Sequence, residues 1–337
     1  MILQQQILQH NITTTYLTMR NNTSRKIAFF ACSIHSTTHA YYFYIPITTA
    51  AWMRVGYEVI VAFVGDFNAT NALSPRLQLT RKYLLETGAA IFDFQCDASY
   101  SIKMSQILRI FGGFLPENLV LDTDYIITAD SDLFPLNPAQ YTPSTEHSGG
   151  FITNAFCCGS FNRRSKSYRM FPMGHIYLSK RIWRAIWSES VQNKELLNIL
   201  TSDPNNRTTN FSYEQQLLKI YPNLNQTLSH SDMPTLTFDL VSLYMRHEFR
   251  GVYDQQMGKG DAAWYMDQIM VSMLLGDYRD RHKNFSIHER DRGQRLDRAD
   301  ALNFWDRSNF SQFGDSHLKH DEILEDHTWA IFIVPAT

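Results

Sequence analysis

From Lys26 to Asp130 the chain alternates between short unbroken apolar runs and longer stretches with helical spacing. "KIAFFACSI" (Lys26–Ile34) and "YEVIVAFVGD" (Tyr57–Asp66) are continuous apolar runs, which predict strands buried on both faces, as in a parallel sheet. Between them, "AYYFYIPITTAAWMRVG" (Ala40–Gly56) has helix-like spacing and a glycine stop. "SPRLQLTRKYLLETG" (Ser74–Gly88) opens on Ser-Pro and closes on Gly, which predicts a second helix, and "AAIFDF" (Ala89–Phe94) a third strand. "SYSIKMSQILRIFGGF" (Ser99–Phe114) predicts a helix carrying Lys103, Gln106 and Arg109, and "DYIITAD" (Asp124–Asp130) a fourth strand. Strand and helix taking turns in this way define a doubly wound α/β unit.

Composition adds little to that picture but excludes several classes. A chain of 337 residues can bury a large core as one big domain or two. With 44% hydrophobic and 19% charged residues it is globular rather than disordered. A net charge of −2 provides no basic field for nucleic acid. The 17 Tyr, 22 Phe and 6 Trp suit sugar rings and bases, although core packing accounts for most of them.

Asn-x-Ser/Thr occurs at Asn11, Asn21, Asn22, Asn68, Asn206, Asn210, Asn225, Asn284 and Asn309, never with an intervening Pro. Chance supplies roughly three, so the excess predicts a secretory-pathway protein, most simply in the Golgi lumen. Cys32, Cys96, Cys157 and Cys158 fit no zinc spacing. They permit one or two disulfides, and the adjacent Cys157 and Cys158 are not expected to bond each other. Residues 1–26 are too polar for a signal peptide or a span and have the composition of a stem, so membrane attachment is expected only through an anchor absent from this chain, the alternative being a soluble protein with unused sequons.

"DTDYIITADSDLFPL" (Asp122–Leu136) holds two Asp-x-Asp pairs. In open parallel sheets ligands sit beyond the carboxyl ends of the strands. Asp122 and Asp124 precede the strand and lie at its amino end, whereas Asp130 and Asp132 follow it and project at the ligand edge. With one residue between them, two carboxylates can approach one hard divalent cation.

"YIITADSDLFPL" resembles the DxD segment of GT-A glycosyltransferases, which use nucleotide-sugar donors in the secretory pathway. "KMSQILRIF" (Lys103–Phe111) resembles the helix before that motif, and "MGHIYLSKRIW" (Met173–Trp183) the strand and helix after the acceptor-side insertion. "GKGDAAWYMDQIMVS" (Gly258–Ser272) resembles the glycine loop and acidic motif, and "GDSHL" (Gly314–Leu318) the late histidine that completes metal coordination. The likeness spans about residues 27–320, and His288 and His320 compete with His317 for the last role. It implies a GT-A-like fold with a mostly parallel sheet over 27–330, after the polar lead. Residues 27–136 would hold the nucleotide-sugar donor and 137–330 a glycan, lipid or protein acceptor.

The same resemblance implies site residues. Asp130, Asp132 and His317 would hold Mn²⁺ or Mg²⁺, which would neutralise the diphosphate leaving group. Ser33, Asp66, Arg109, Asp130 and Gly258 would contact the donor, with Arg109 reaching a phosphate or the ribose. Asp267, in the first turns of the helix in "AAWYMDQIMVSMLL", would face the acceptor hydroxyl as general base in an inverting enzyme. In a retaining enzyme it would position the acceptor or stabilise positive charge. "HERDRGQRLDRAD" (His288–Asp300) is expected to be a solvated charged face, although its arginines could line the pyrophosphate side. A phosphatase of the haloacid dehalogenase type fits poorly, because Phe134 stands where it needs Thr or Val and three strands come earlier. A GT-A-like sugar binder without activity is the remaining alternative.

Overall fold

The structure, a computed structural model, describes residues 24–35, 41–68, 73–144, 149–191, 236–249, 252–253, 265–291, 293–297 and 313–317. In chain order the first half runs β1 (Lys26–Ser33), α1 (Ile45–Arg54), β2 (Glu58–Gly65), α2 (Pro75–Glu86), β3 (Ala90–Gln95), α3 (Ser101–Leu108), β4 (Tyr125–Thr128) and β5 (Leu133–Pro135). Then come β6 (Phe151–Ile152), a hairpin of β7 (Ser160–Arg163) and β8 (Lys166–Arg169), β9 (Ile176–Ser179), α4 (Lys180–Val191), α5 (Phe238–Phe249) and α6 (Met266–Arg281). β10 (His288–Glu289), β11 (Gln294–Asp297) and β12 (Phe313–His317) complete the described elements.

The central sheet has seven strands in the order β10-β6-β9-β4-β1-β2-β3, and β9 alone runs against the others. It is the mostly parallel, doubly wound sheet that the strand–helix alternation predicts, and it takes strands from both halves of the chain. Alternate residues of one strand face opposite sides. Ile27, Phe29 and Ala31 of β1 pack into the core under α3, α4, α5 and α6, whereas Ala28, Phe30 and Cys32 pack into the core under α1 and α2. Burial on both faces is why these strands read as unbroken apolar runs.

Helix boundaries moved where local chemistry demanded it. α1 begins at Ile45, with Pro46 in the first turn, where a missing N–H costs nothing. Ser74 caps α2 by accepting the Leu77 N–H at 3.2 Å. The helix predicted over Ser99–Phe114 is α-helical only as far as Leu108; from Arg109 it tightens into 3-10 turns with a kink at Phe111. Gly113 is required there, because a Cβ would stand 2.4 Å from the Arg184 backbone nitrogen of α4.

A second, three-stranded sheet, β11-β12-β5, joins the end of the chain to the segment after β4. β12 pairs antiparallel with β5, placing His317 opposite Leu133. This ladder carries residues about 180 positions apart in sequence to one edge of the central sheet.

Candidate active site

The two Asp-x-Asp pairs have opposite environments. Asp124 is buried at the amino end of β4 and accepts hydrogen bonds from Arg25 N (3.1 Å), Arg25 Nε (3.0 Å), Arg25 Nη2 (2.5 Å) and Leu121 N (2.8 Å). Burial alone would raise its pKa, but Arg25 outweighs it and holds the carboxyl below the usual range. Asp122 accepts from Arg184 Nη1 at 3.0 Å. Both tie the foot of the strand to its neighbours.

Asp130 and Asp132 stand at the other end, on the wall of a cavity of about 370 Å³. Ser33, Arg109, Asp267 and His317 line the same cavity. Six of the eight predicted site residues therefore converge, from β1, the end of α3, the segment after β4, α6 and β12. Asp66 does not: its Oδ1 accepts from Asn68 N (3.0 Å) and Gln95 Nε2 (2.9 Å), and its own N–H bonds His35 Nε2 at 2.9 Å. Gly258 lies outside the described residues. Of the competing histidines, His288 forms part of β10 and accepts from Arg290 Nε at 3.2 Å away from the cavity; His320 is not among the described residues.

Arg109 stands on the cavity wall between two carboxylates. Its Nη1 pairs with Asp130 Oδ1 and its Nη2 donates to Asp267 Oδ2 at 3.0 Å. The guanidinium also donates to the Gln106 carbonyl at 3.0 Å and the Ala129 carbonyl at 3.3 Å. One buried cation therefore links Asp130 to Asp267. Asp267 is the second residue of α6 and 3% exposed, and it also accepts the Gln268 N–H at 2.8 Å. Burial raises its pKa, against the pull of Arg109.

The donor set fits a divalent ion at two positions. His317 Nε2 and Asp132 Oδ2 stand 3.1 Å apart. That is a hydrogen-bond distance, and the pair offers an imidazole nitrogen and a carboxylate oxygen, donor types that a divalent ion takes. Asp130 turns one oxygen to Arg109; the other lies 3.1 Å from where a Cβ on Gly174 would stand, so the glycine leaves it room in the cavity. No group of three or more His, Cys, Asp or Glu is gathered in metal-holding geometry among the described residues. Arg109 pairs with Asp130 and Asp267, and Arg295 with Asp315, while Asp132 pairs with His317.

Two expectations are overturned. The charged run from His288 is not a solvated face throughout. Arg290 donates to the carbonyls of Gln140 and Thr142, both at 2.7 Å, over the Phe151 ring, and Arg295 lines the cavity. β-Pairing, invisible in a list of charges, draws the run inward. Cys157 and Cys158 are joined by a disulfide, contrary to expectation, and both line the cavity; the tight turn closed by Cys157 N to Asn154 O (3.2 Å) holds them. Cys32 and Cys96 are buried free thiols.

Sequence reading also missed residues. Gln268 lines the cavity beside Asp267, and its Oε1 is buried without a hydrogen-bond partner. A buried unpartnered acceptor is costly, roughly 1–3 kcal/mol, and so marks a place for a ligand donor. Its adjacency to Asp267 was the available signal. His175, fully buried, packs edge-on to Trp52 and Tyr141 at 5.6 and 4.9 Å. Burial pushes its pKa down to about 3, although Asp315 lies 3.7 Å away.

No family model matches this sequence, and no curated protein sequence does. Among solved structures, the chain is similar to 4-diphosphocytidyl-2C-methyl-D-erythritol synthase, at 9% identity and a TM-score of 0.31, over 49% of this chain and 79% of that one. It is also similar to the apo structure of the bifunctional glycosyltransferase WbbM, at 11% identity and a TM-score of 0.30, over 55% of this chain and 35% of that one. Both likenesses are loose, and what defines the class here is the chain's own architecture: a doubly wound α/β fold with an acidic, arginine-braced cavity at the carboxyl edge.

Proposed function

We propose that this protein is a metal-dependent glycosyltransferase that moves a sugar from a nucleotide-sugar donor to a glycan, lipid or protein acceptor. The observation that carries the proposal is the meeting of Asp130, Asp132, His317, Arg109 and Asp267 in one cavity at the carboxyl edge of a mostly parallel sheet. Asp132 and His317, with Asp130, would hold Mn²⁺ or Mg²⁺, which when bound supplies Lewis-acid neutralisation of the diphosphate leaving group.

The chain's own residues account for the remaining chemistry. Ser33, fixed by a 2.7 Å hydrogen bond to Ser101, marks the nucleotide side. Gln268 presents an acceptor oxygen suited to a sugar hydroxyl. Arg109 holds Asp267 in one orientation, ready to take a proton from the acceptor hydroxyl or to stabilise positive charge on the sugar. Lumenal residence belongs to the same proposal: Asn68 and Asn284, the described sequon asparagines, are both exposed. No helix among the described residues is long and apolar enough to cross a membrane.

The test is donor hydrolysis, since a transferase slowly passes its sugar to water. Purified protein with Mn²⁺ is given uridine-, guanosine- and cytidine-based nucleotide-sugars, and nucleotide release is followed. Release from at least one donor, lost on chelation and in Asp132→Asn, is expected. Metal-dependent binding of a donor with no release and no transfer would instead establish a sugar-nucleotide binder.

A further inference from the structure

We propose that Arg295 is the protein's own contact for the diphosphate group of the donor, set in place by Asp315. This rests on the nucleotide-sugar reading above and adds to it a residue from the segment that sequence patterning assigned to a solvated face. Arg295 lines the cavity, and its Nε and Nη2 donate to the two oxygens of Asp315 at 2.5 and 2.9 Å. Asp315 is 2% exposed and takes both bonds from one guanidinium, so the pair is an oriented ion pair. A planar fork gripped by a fixed carboxylate loses little freedom when it meets an anion.

Backbone geometry makes the placement specific. Arg295 and Asp315 are cross-strand partners of β11 and β12, and the register slips between Gln294 and Arg295. The extra residue is Gly314 of β12, and from Arg295 onward the pairing is regular, which sets Arg295 and Asp315 on one face. Asp315 and His317 are two residues apart on one face of β12, about 7 Å along the strand. His317 is in contact with Asp132. A divalent ion held by Asp132 and His317 would therefore share one cavity with the Arg295 guanidinium. His175, fully buried, lies 3.7 Å from Asp315.

The probe is inorganic pyrophosphate with Mg²⁺, titrated by calorimetry, with uridine and guanosine diphosphates and their monophosphates run alongside. Removing Arg295 alone strands a buried carboxylate, so the informative variant is the double Arg295→Gln/Asp315→Asn, which removes both charges and leaves the cavity's net charge unchanged. Its pyrophosphate affinity is expected to fall tenfold or more, with the same loss for whichever diphosphate the protein binds and little change for the monophosphate. Arg295→Lys keeps the charge but not the fork, and should lose several-fold. Arg279→Gln, whose residue pairs with Glu289 away from the cavity, should bind as the wild type does.

Wild-type protein that does not bind pyrophosphate, or a double variant within twofold of it, overturns the assignment. Should the double variant not fold, Arg295→Lys decides, and unchanged affinity overturns it. Donor hydrolysis by the wild-type protein reports on the transferase reading separately. Pyrophosphate binding that needs Arg295, without donor turnover, sinks that reading and leaves the anion contact standing.

Discussion

Replacing Asp124 and Asp132 one at a time by Asn separates the structural end of β4 from the chemical end. Asp124 receives four donors from Arg25 and Leu121, and Asn would set an NH₂ against donors it cannot accept from. Breaking a fully buried ion pair costs about 3–5 kcal/mol. Arg25 keeps 24% of its side chain exposed, so solvent screening reduces this to about 2–4 kcal/mol. In a domain of this size that lowers the melting temperature on the order of 3–6 °C. Asp124→Asn should leave Mn²⁺ affinity within about twofold, because Asp124 sits at the opposite end of the strand.

Asp132→Asn should do the reverse. It retains side-chain size and can still bond His317, so stability should change by no more than about 1 kcal/mol. Loss of a group that merely supports a metal ligand typically costs about 10–100-fold in affinity, so loss of a ligand should cost at least 100-fold. Thermal melts read the first quantity and Mn²⁺ titration by electron paramagnetic resonance the second. If Asp124→Asn weakens Mn²⁺ as much as Asp132→Asn does, or if Asp132→Asn leaves it untouched, the placement of the site at the carboxyl edge is refuted.

Three further outcomes can be checked independently. His175 is held neutral in the fold, with its pKa lowered from an ordinary 6.5 to about 3, so its contribution to stability is whole above pH 6.5 and drains away as pH falls toward 3. Between pH 7 and pH 5 that amounts to about 2 kcal/mol. Urea melts should show the loss in wild-type protein and not in His175→Asn, a residue that tolerates the positive φ of 77° found there; equal pH dependence would refute it. Asp267→Asn should lower transfer about 10² to 10⁴-fold with donor affinity unchanged, and full activity would leave Asp267 a helix-end charge. Protein expressed in a secretory host should shift in mobility after treatment with an N-glycan-removing amidase, and an unshifted band would sink the lumenal placement.

The unbroken apolar runs of β1 and β2, the Ser-Pro and Gly punctuation of α2, and the place of Asp130 after β4 were all legible, because burial and turn chemistry act within a few residues. Strand polarity then separated the two Asp-x-Asp pairs without coordinates. Only tertiary structure could decide the rest. Asp66 lay at the right strand end but was taken by Gln95 across the sheet, and Arg109 turned to two carboxylates of which the nearer in sequence is 21 positions away. Arg295 belonged to a run read chiefly as a solvated face until a parallel ladder set it opposite Asp315, at the wall of the cavity. Local patterning reports how a segment is buried; which distant charge a side chain meets depends on strand register and on chain paths that no local pattern encodes.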